Sequence, residues 1–404
     1  MTQELREPLS TERAPLEAPA GSVLGAKGFR PFFLLAGIFA SAILPLWMLA
    51  LLGVVHPDAY FDAIYWHAHE MVFGFACAAI AGFLLTAVTN WTGRDTLVGS
   101  PLLGLAALWL AGRVALLTPG LPRAAVAAID LAFLPAVALA IARPLLATRS
   151  RRNYVTVAVL MTLWLANVTM HLDVLGWLPG WRRRGSLAGV DVVVLLAIVI
   201  AGRVIPLFTR NATQVATIRS HPRLDVAAIV SMLLLAVCDV GWPNSGAATL
   251  LAGAAAIFAV ARAVHWGIGH TWREPLLWIL HVAYLWIPIG LALRVASHFT
   301  PAVADVLATH ALTVGAIGGL TLGMMARVSL GHTGRPVRAP GTMTAAFACL
   351  TLAAVVRVFG PVLDMRAYRA SVFAAGTLWT IAFVLFVVVF APMLTAKRPD
   401  GKLG

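Results

Sequence analysis

Twelve apolar runs of membrane-crossing length divide this chain, and they limit its fold more than any single residue does. A helix rises about 1.5 Å per residue, so about 20 apolar residues cross a hydrocarbon core of roughly 30 Å. The first run follows Gly28-Phe29-Arg30-Pro31-Phe32-Phe33 and ends near Val55. The others fall at approximately 67–90, 99–117, 124–146, 154–172, 188–208, 224–241, 247–266, 275–297, 304–326, 341–359 and 370–394. Backbone groups in hydrocarbon must be satisfied within their own segment, which selects helices here. The expected fold is therefore all-α, a polytopic transmembrane bundle of about 12 helices.

Composition agrees. With 60% hydrophobic and only 12% charged residues, no polar stretch is long enough to fold as a separate soluble domain. Residues 28–396 are expected to form one membrane domain, with cytoplasmic tails at 1–27, disordered, and at 397–404. The first tail lacks an apolar core ahead of a cleavage site, so it does not read as a signal peptide. A formal charge of +13 raises nucleic acid as a partner, but the arginines lie between apolar spans, where they set topology and touch lipid head groups. No nucleic-acid role is expected. An even number of spans puts both termini on one side, and the basic residues make that side cytoplasmic. The run Arg182-Arg183-Arg184 opposes this orientation. Cys77, Cys238 and Cys349 are isolated, which excludes a disulfide framework and a thiolate zinc site.

Ionisable residues inside such spans are costly and therefore informative. The stretch from Trp66 to Arg94 opens with His67, His69 and Glu70 and then carries no charge from Val72 to Val88. Two residues apart on a helix is about 200°, so His67 and His69 are aimed at different partners unless the turn is irregular. Glu70 shares a face with His67 and could orient it. A polar interface under a tryptophan belt accounts for the same residues.

On the expected topology the histidines form two layers. His67, His69, His171, His298 and His310 lie towards the outside. His221, His265, His270 and His332 lie inside, with His281 about two turns into the ninth span. Buried imidazoles in a bundle serve as metal or haem ligands, or as interhelical hydrogen-bond partners. His281 and Tyr284 share a face, and Tyr284 could donate a proton there. Arg113, Arg294 and Arg357 require counter-charges, for which haem propionates, Glu70, Asp130, Asp173 and Asp305 are the candidates. The loop Met325 to Pro336 holds Arg327, Arg335 and His332, and suits an anion or a helix-end anchor. No phosphate loop, dinucleotide fingerprint or nucleophile motif is present. A secondary transporter and a non-catalytic metal-handling protein both remain open on these residues.

The pieces GFRPFF (28–33), WHAHEMVFGF (66–75), AGFLLTAVTNWTG (81–93), GRVIPLFTRN (202–211), LLWILHVAYLW (276–286) and HALTVGAIGGLTLGMMARVSLGHTGR (310–335) resemble the NnrS family of bacterial membrane proteins. Thr89 departs from the proline expected before Asn-Trp. The resemblance implies a haem- and copper-containing protein of the bacterial inner membrane, associated with denitrification and protective under nitrosative stress. It implies that nitric oxide is bound, or turned over as by a membrane oxidoreductase, at a histidine-ligated centre, with a quinol or another electron donor as possible partner beside membrane lipid. Carried onto this chain, the motif histidines are His67, His69, His281, His310 and His332, accompanied by Glu70, Tyr284, Arg327 and Arg335. The resulting expectation has Glu70 and Tyr284 catalytic and His67, His69, His281, His310 and Arg294 binding cofactor. The metal ligands are drawn from His67, His69, His171, His310, His281 and His332.

Overall fold

The computed structural model describes residues 22–57, 59–363 and 365–401. Most of the expected N-terminal tail, 1–21, and the last three residues lie outside them. Twelve long apolar helices are present: α1 (Phe29–Leu51), α2 (Ala63–Thr92), α3 (Ser100–Leu117), α4 (Arg123–Ala147), α5 (Arg151–Val174), α6 (Arg182–Thr213), α7 (Pro222–Gly241), α8 (Gly246–Trp266), α9 (Pro275–Phe299), α10 (Asp305–His332), α11 (Gly341–Leu363) and α12 (Tyr368–Thr395). Hydropathy alone placed most of their ends within a few residues, because a span must cover the hydrocarbon thickness whatever its neighbours do, while α6 and α10 run five or six residues past the expected 188–208 and 304–326. The described residues contain no strand.

The helices close into a circuit. Neighbours in sequence pack together from α3 through α12, α2 lies against α1 and α4, and α12 returns to α1. The closure is chemical as well as steric. Arg30 Nη1 donates to the carbonyls of Leu394 (2.7 Å) and Ala396 (2.9 Å), placing a cation on the carboxyl end of α12. Trp379 Nε1 donates to Ala40 O at 3.0 Å from the same pair of helices. The start of α1 and the end of α12 therefore share one face of the bundle, called here the Arg30 face. Residues that the sequence reading assigned to the tails also pack on it. Gly25 O accepts from Gly99 N (2.7 Å), Lys27 pairs with Asp95 (2.6 Å), and Arg398 donates to His332 O (3.0 Å).

Helix α2 is the central one. In its most apolar stretch 78% of the residues are buried, against 39% for α1 and α12, which leave a lipid-facing side. Small residues let it sit there: a Cβ on Gly82 would come within 2.9 Å of both Phe32 and Phe33.

Two helices change pitch at their histidines. In α2 an α-helical turn runs to His69, Glu70–Ala76 is a π-helix, and α geometry resumes at Cys77. In α10 the α-helix ends at His310, and Ala311–Gly318 is the π segment. Wider turns displace the residues on either side from ordinary helical register and are frequent at functional sites. Trp109 Nε1 uses the disturbance, donating to Gly74 O at 3.1 Å.

Candidate functional site

His67 and His69 point to different places, as their spacing requires. His69 enters a closed polar network at the end of the bundle opposite Arg30. Its Nδ1 lies 3.1 Å from Glu70 Oε1, and its Nε2 lies 2.9 Å from Asn167 Oδ1 and 3.2 Å from Asp130 Oδ2. Glu70 thus orients His69 and not His67, because the change to π geometry follows His69 directly. Arg113 Nη1 bonds Glu70 (3.1 Å), and Nη2 makes a short ion pair with Asp130. His171 Nε2 donates to Asp130 Oδ2 (3.0 Å), and Tyr60 OH donates to His171 Nδ1 (2.8 Å). Helices α2, α3, α4 and α5 and the loop before α2 each contribute.

Hydrogen-bond polarity fixes the charges. Asn167 Nδ2 donates to Asp130 Oδ2 at 2.8 Å, so Asn167 Oδ1 is the acceptor facing His69. Both nitrogens of His69 therefore face groups that only accept, and an imidazolium satisfies both. His171 donates through Nε2 and accepts through Nδ1, which makes it neutral. Two carboxylates then balance Arg113 and protonated His69, and the buried network is neutral overall. Tyr60, in the loop outside the spans, has its phenol pushed up, first by burial and then by the Asp130 carboxylate, so it stays a donor.

One potential ligand atom from each of His69, Asp130 and His171 lies within 4.8 Å of the others. Two imidazoles and a carboxylate suit a first-row transition metal. Every ring nitrogen is already engaged, so an ion entering here would replace the His69 proton and the bond to Asn167. A monovalent copper ion preserves the neutral balance.

His67 stacks on Trp47, with centroids 4.2 Å apart, and its buried Nδ1 has no hydrogen-bond partner. It lines a cavity with Trp47, Trp379, His310 and Arg357. His310 Nδ1 donates to Val306 O (2.7 Å), which fixes the tautomer and leaves Nε2 as the ring's lone pair. Arg357 reaches Tyr368 OH through Nη2 at 3.4 Å, while its Nη1 is buried without a partner. This cavity of about 120 Å³ carries groups of the kinds that hold a haem, nitrogen for iron, aromatic walls and a cation for a propionate, and its walls would have to move apart to admit the macrocycle.

The other sequence candidates lie elsewhere. His281 Nε2 donates to Thr209 Oγ1 (2.9 Å), whose own proton goes to Ile205 O, in the half of the bundle nearer the Arg30 face. Tyr284 donates to Ala259 O (3.3 Å) and packs on Trp266. Arg294 makes a short bidentate pair with Asp239 between α9 and α7, and His298 lines an outer cleft beside it. The His332 ring packs on Phe29 at the Arg30 face, with centroids 5.5 Å apart. Thus His67 meets His310 and His69 meets His171, while His281, Tyr284, Arg294 and His332 stand apart from both pairs. Sequence reasoning overlooked Tyr60, Trp47 and Asn167. Asn167 carried a signal, lying one turn before His171 on the same face.

Fold and site together define a polytopic helical membrane protein with a buried, charge-balanced histidine–carboxylate–arginine network beside a second histidine cavity. The sequence matches the family described as NnrS protein over residues 23–398, nearly its whole length. The chain belongs to the NnrS family, membrane proteins linked to the nitric oxide response. No curated protein matches it.

Proposed function

We propose that this protein binds nitric oxide, or turns it over, at a metal centre carried by α2 and α10. The observation that carries the reading is the buried, unpartnered Nδ1 of His67 in a cavity shared with His310 and Arg357. An unsatisfied buried nitrogen costs stability unless something occupies it, and histidine is the commonest metal ligand. His67 and His310 would hold haem, with Arg357 facing a propionate, and His69, Asp130 and His171 would hold copper in exchange for one proton. Haem bound there would supply a one-electron couple and an affinity for a diatomic gas. The chain's own residues do the rest. Val306 fixes the His310 tautomer, Trp47 and Trp379 keep water away, and Glu70 and Asp130, with Arg113, balance the charge at His69, whether it is the proton or the copper that replaces it.

The reading includes an orientation. The Arg30 face, with Arg149, Arg151, Arg152, Arg219 and Arg223 near it, is the cytoplasmic side of the inner membrane. Two arginines of the reversed run are neutralised locally: Arg182 pairs with Asp62 (2.9 Å) and Asp173 (2.7 Å), and Arg183 with Asp305 (3.2 Å). Paired arginines no longer act as free positive charge, so they do not oppose this orientation. Electrons would come from a membrane donor such as a quinol.

The test is an absorption spectrum of the detergent-purified protein, oxidised, reduced and exposed to nitric oxide. A Soret band that moves on reduction and again with the gas is expected. His67→Ala and His310→Ala should each lose it, while His281→Ala keeps it. A flat spectrum from folded, metal-replete protein, or an unchanged band in both variants, refutes the haem centre and favours transport or packing as the histidines' role.

A further inference from the structure

At the Arg30 face a cleft of about 530 Å³ opens between α2, α6 and α10, lined by Asn90, Trp91, Arg152, Arg203, Phe83 and His332. It continues past Arg152 and Arg203 into a second hollow of about 460 Å³ that holds Arg210 and Arg219. The acid in that hollow is Asp225, and Arg262 takes it at 2.6 Å. Among the described residues no carboxylate lies within ion-pair reach of Arg152, Arg203, Arg210 or Arg219. Arg203 stands ten residues before the end of α6 at Thr213, about three turns into the helix and between Ile200 and Leu207. Arg203 is exposed into the cleft at that depth, where an anion is favoured, and the described residues supply no carboxylate for it.

The cleft also has an apolar extension. Phe83, Ile200, Val204 and Met324 line both the basic cleft and a narrow slot of about 110 Å³ that runs towards the middle of the bundle. Past these four the slot is walled by residues such as Phe33, Leu196, Leu280 and Ile317. Charge at the mouth and hydrocarbon behind it select one kind of molecule, an amphiphile with an anionic head and an apolar tail.

We propose that the cleft is a specific site for an anionic phospholipid. Its phosphate is held by Arg152 and Arg203 at the Arg30 face, and one acyl chain lies in the slot between α2, α6 and α10. A quinol has a neutral head and leaves both arginines unpaired. Free phosphate leaves the slot empty. The proposal is independent of the metal reading, since neither His67 nor His310 lines this cleft.

The test is native mass spectrometry of the full-length protein titrated with phosphatidylglycerol and, separately, with phosphatidylcholine. Phosphatidylglycerol is expected to bind preferentially. Removing two charges in Arg152→Gln/Arg203→Gln should weaken it roughly 30-fold and leave phosphatidylcholine unaffected. Arg152→Lys/Arg203→Lys should retain most of the binding, and Ile200→Trp, which fills the slot with both arginines intact, should weaken it. Equal phosphatidylglycerol binding by the glutamine variant and the parent would overturn the proposal. Displacement by millimolar inorganic phosphate would reduce the site to a bare anion hole. Loss of haem absorbance instead of lipid in the glutamine variant would assign the arginines to propionates and also refute it.

Discussion

Replacing Arg113 by leucine tests whether the polar network is one charge-balanced unit. Arg113, Glu70 and Asp130 are 6%, 1% and 4% exposed, so water cannot compensate for a lost partner. The substitution leaves two buried carboxylates opposite a single imidazolium, an excess of one negative charge. Removing one partner of a buried ion pair costs about 3–5 kcal/mol. Asp130→Asn in the leucine background removes the excess charge and keeps the shape, so the double variant should be more stable than Arg113→Leu alone. A coupling energy of about 1–3 kcal/mol is expected for groups in direct contact. Unfolding in mixed micelles of increasing sodium dodecyl sulfate, followed by tryptophan fluorescence, measures all four corners of the cycle. Arg113→Leu within about 1 kcal/mol of the parent, or strictly additive single costs, would refute the charge-balance argument.

Other outcomes follow from the same packing and hydrogen bonds. Tyr60→Phe removes the proton donated to His171 and should cost about 1–2 kcal/mol in the same unfolding assay. Because folding raises the Tyr60 phenol above its ordinary value of about 10, the unfolded chain loses that proton first as pH rises. Stability should therefore fall above about pH 10, with a shallower fall in Tyr60→Phe. Gly202→Ala drives a methyl into the Arg262 guanidinium, which is held by Asp225 and Ile198 O, so a loss of about 1–3 kcal/mol is expected, and wild-type stability would contradict the packing of α6 on α8. His281→Ala should lower the melting temperature by a few degrees while leaving iron and copper content unchanged by elemental analysis.

The helices were legible because each must solve the same local problem, covering a fixed apolar thickness with its own hydrogen bonds. The histidine sites were legible only in part. Spacing separated His67 from His69, and burial cost marked Arg113 as needing an acid, with Glu70 and Asp130 among those named. It did not show that Glu70 would turn to His69, because the π-helix from Glu70 to Ala76 is absent from an ideal wheel. The two-layer reading already set His281 and His332 apart from the outer histidines, whereas the family motif pooled them with His67, His69 and His310, since a motif records residue order and not depth in the bundle.

The sequence by itself determined that this chain is a twelve-span helical membrane protein, which spans carry its histidines and which family it resembles. Tertiary structure alone decided the partners. The meeting of His67 with His310 joins positions 243 residues apart, and the network from Tyr60 to His171 draws on four helices and a loop. The physical reason is range. Hydropathy and helical hydrogen bonds act within a few turns, whereas ion pairing and shared cavities depend on which helices become neighbours, and no local signal in the chain encodes that.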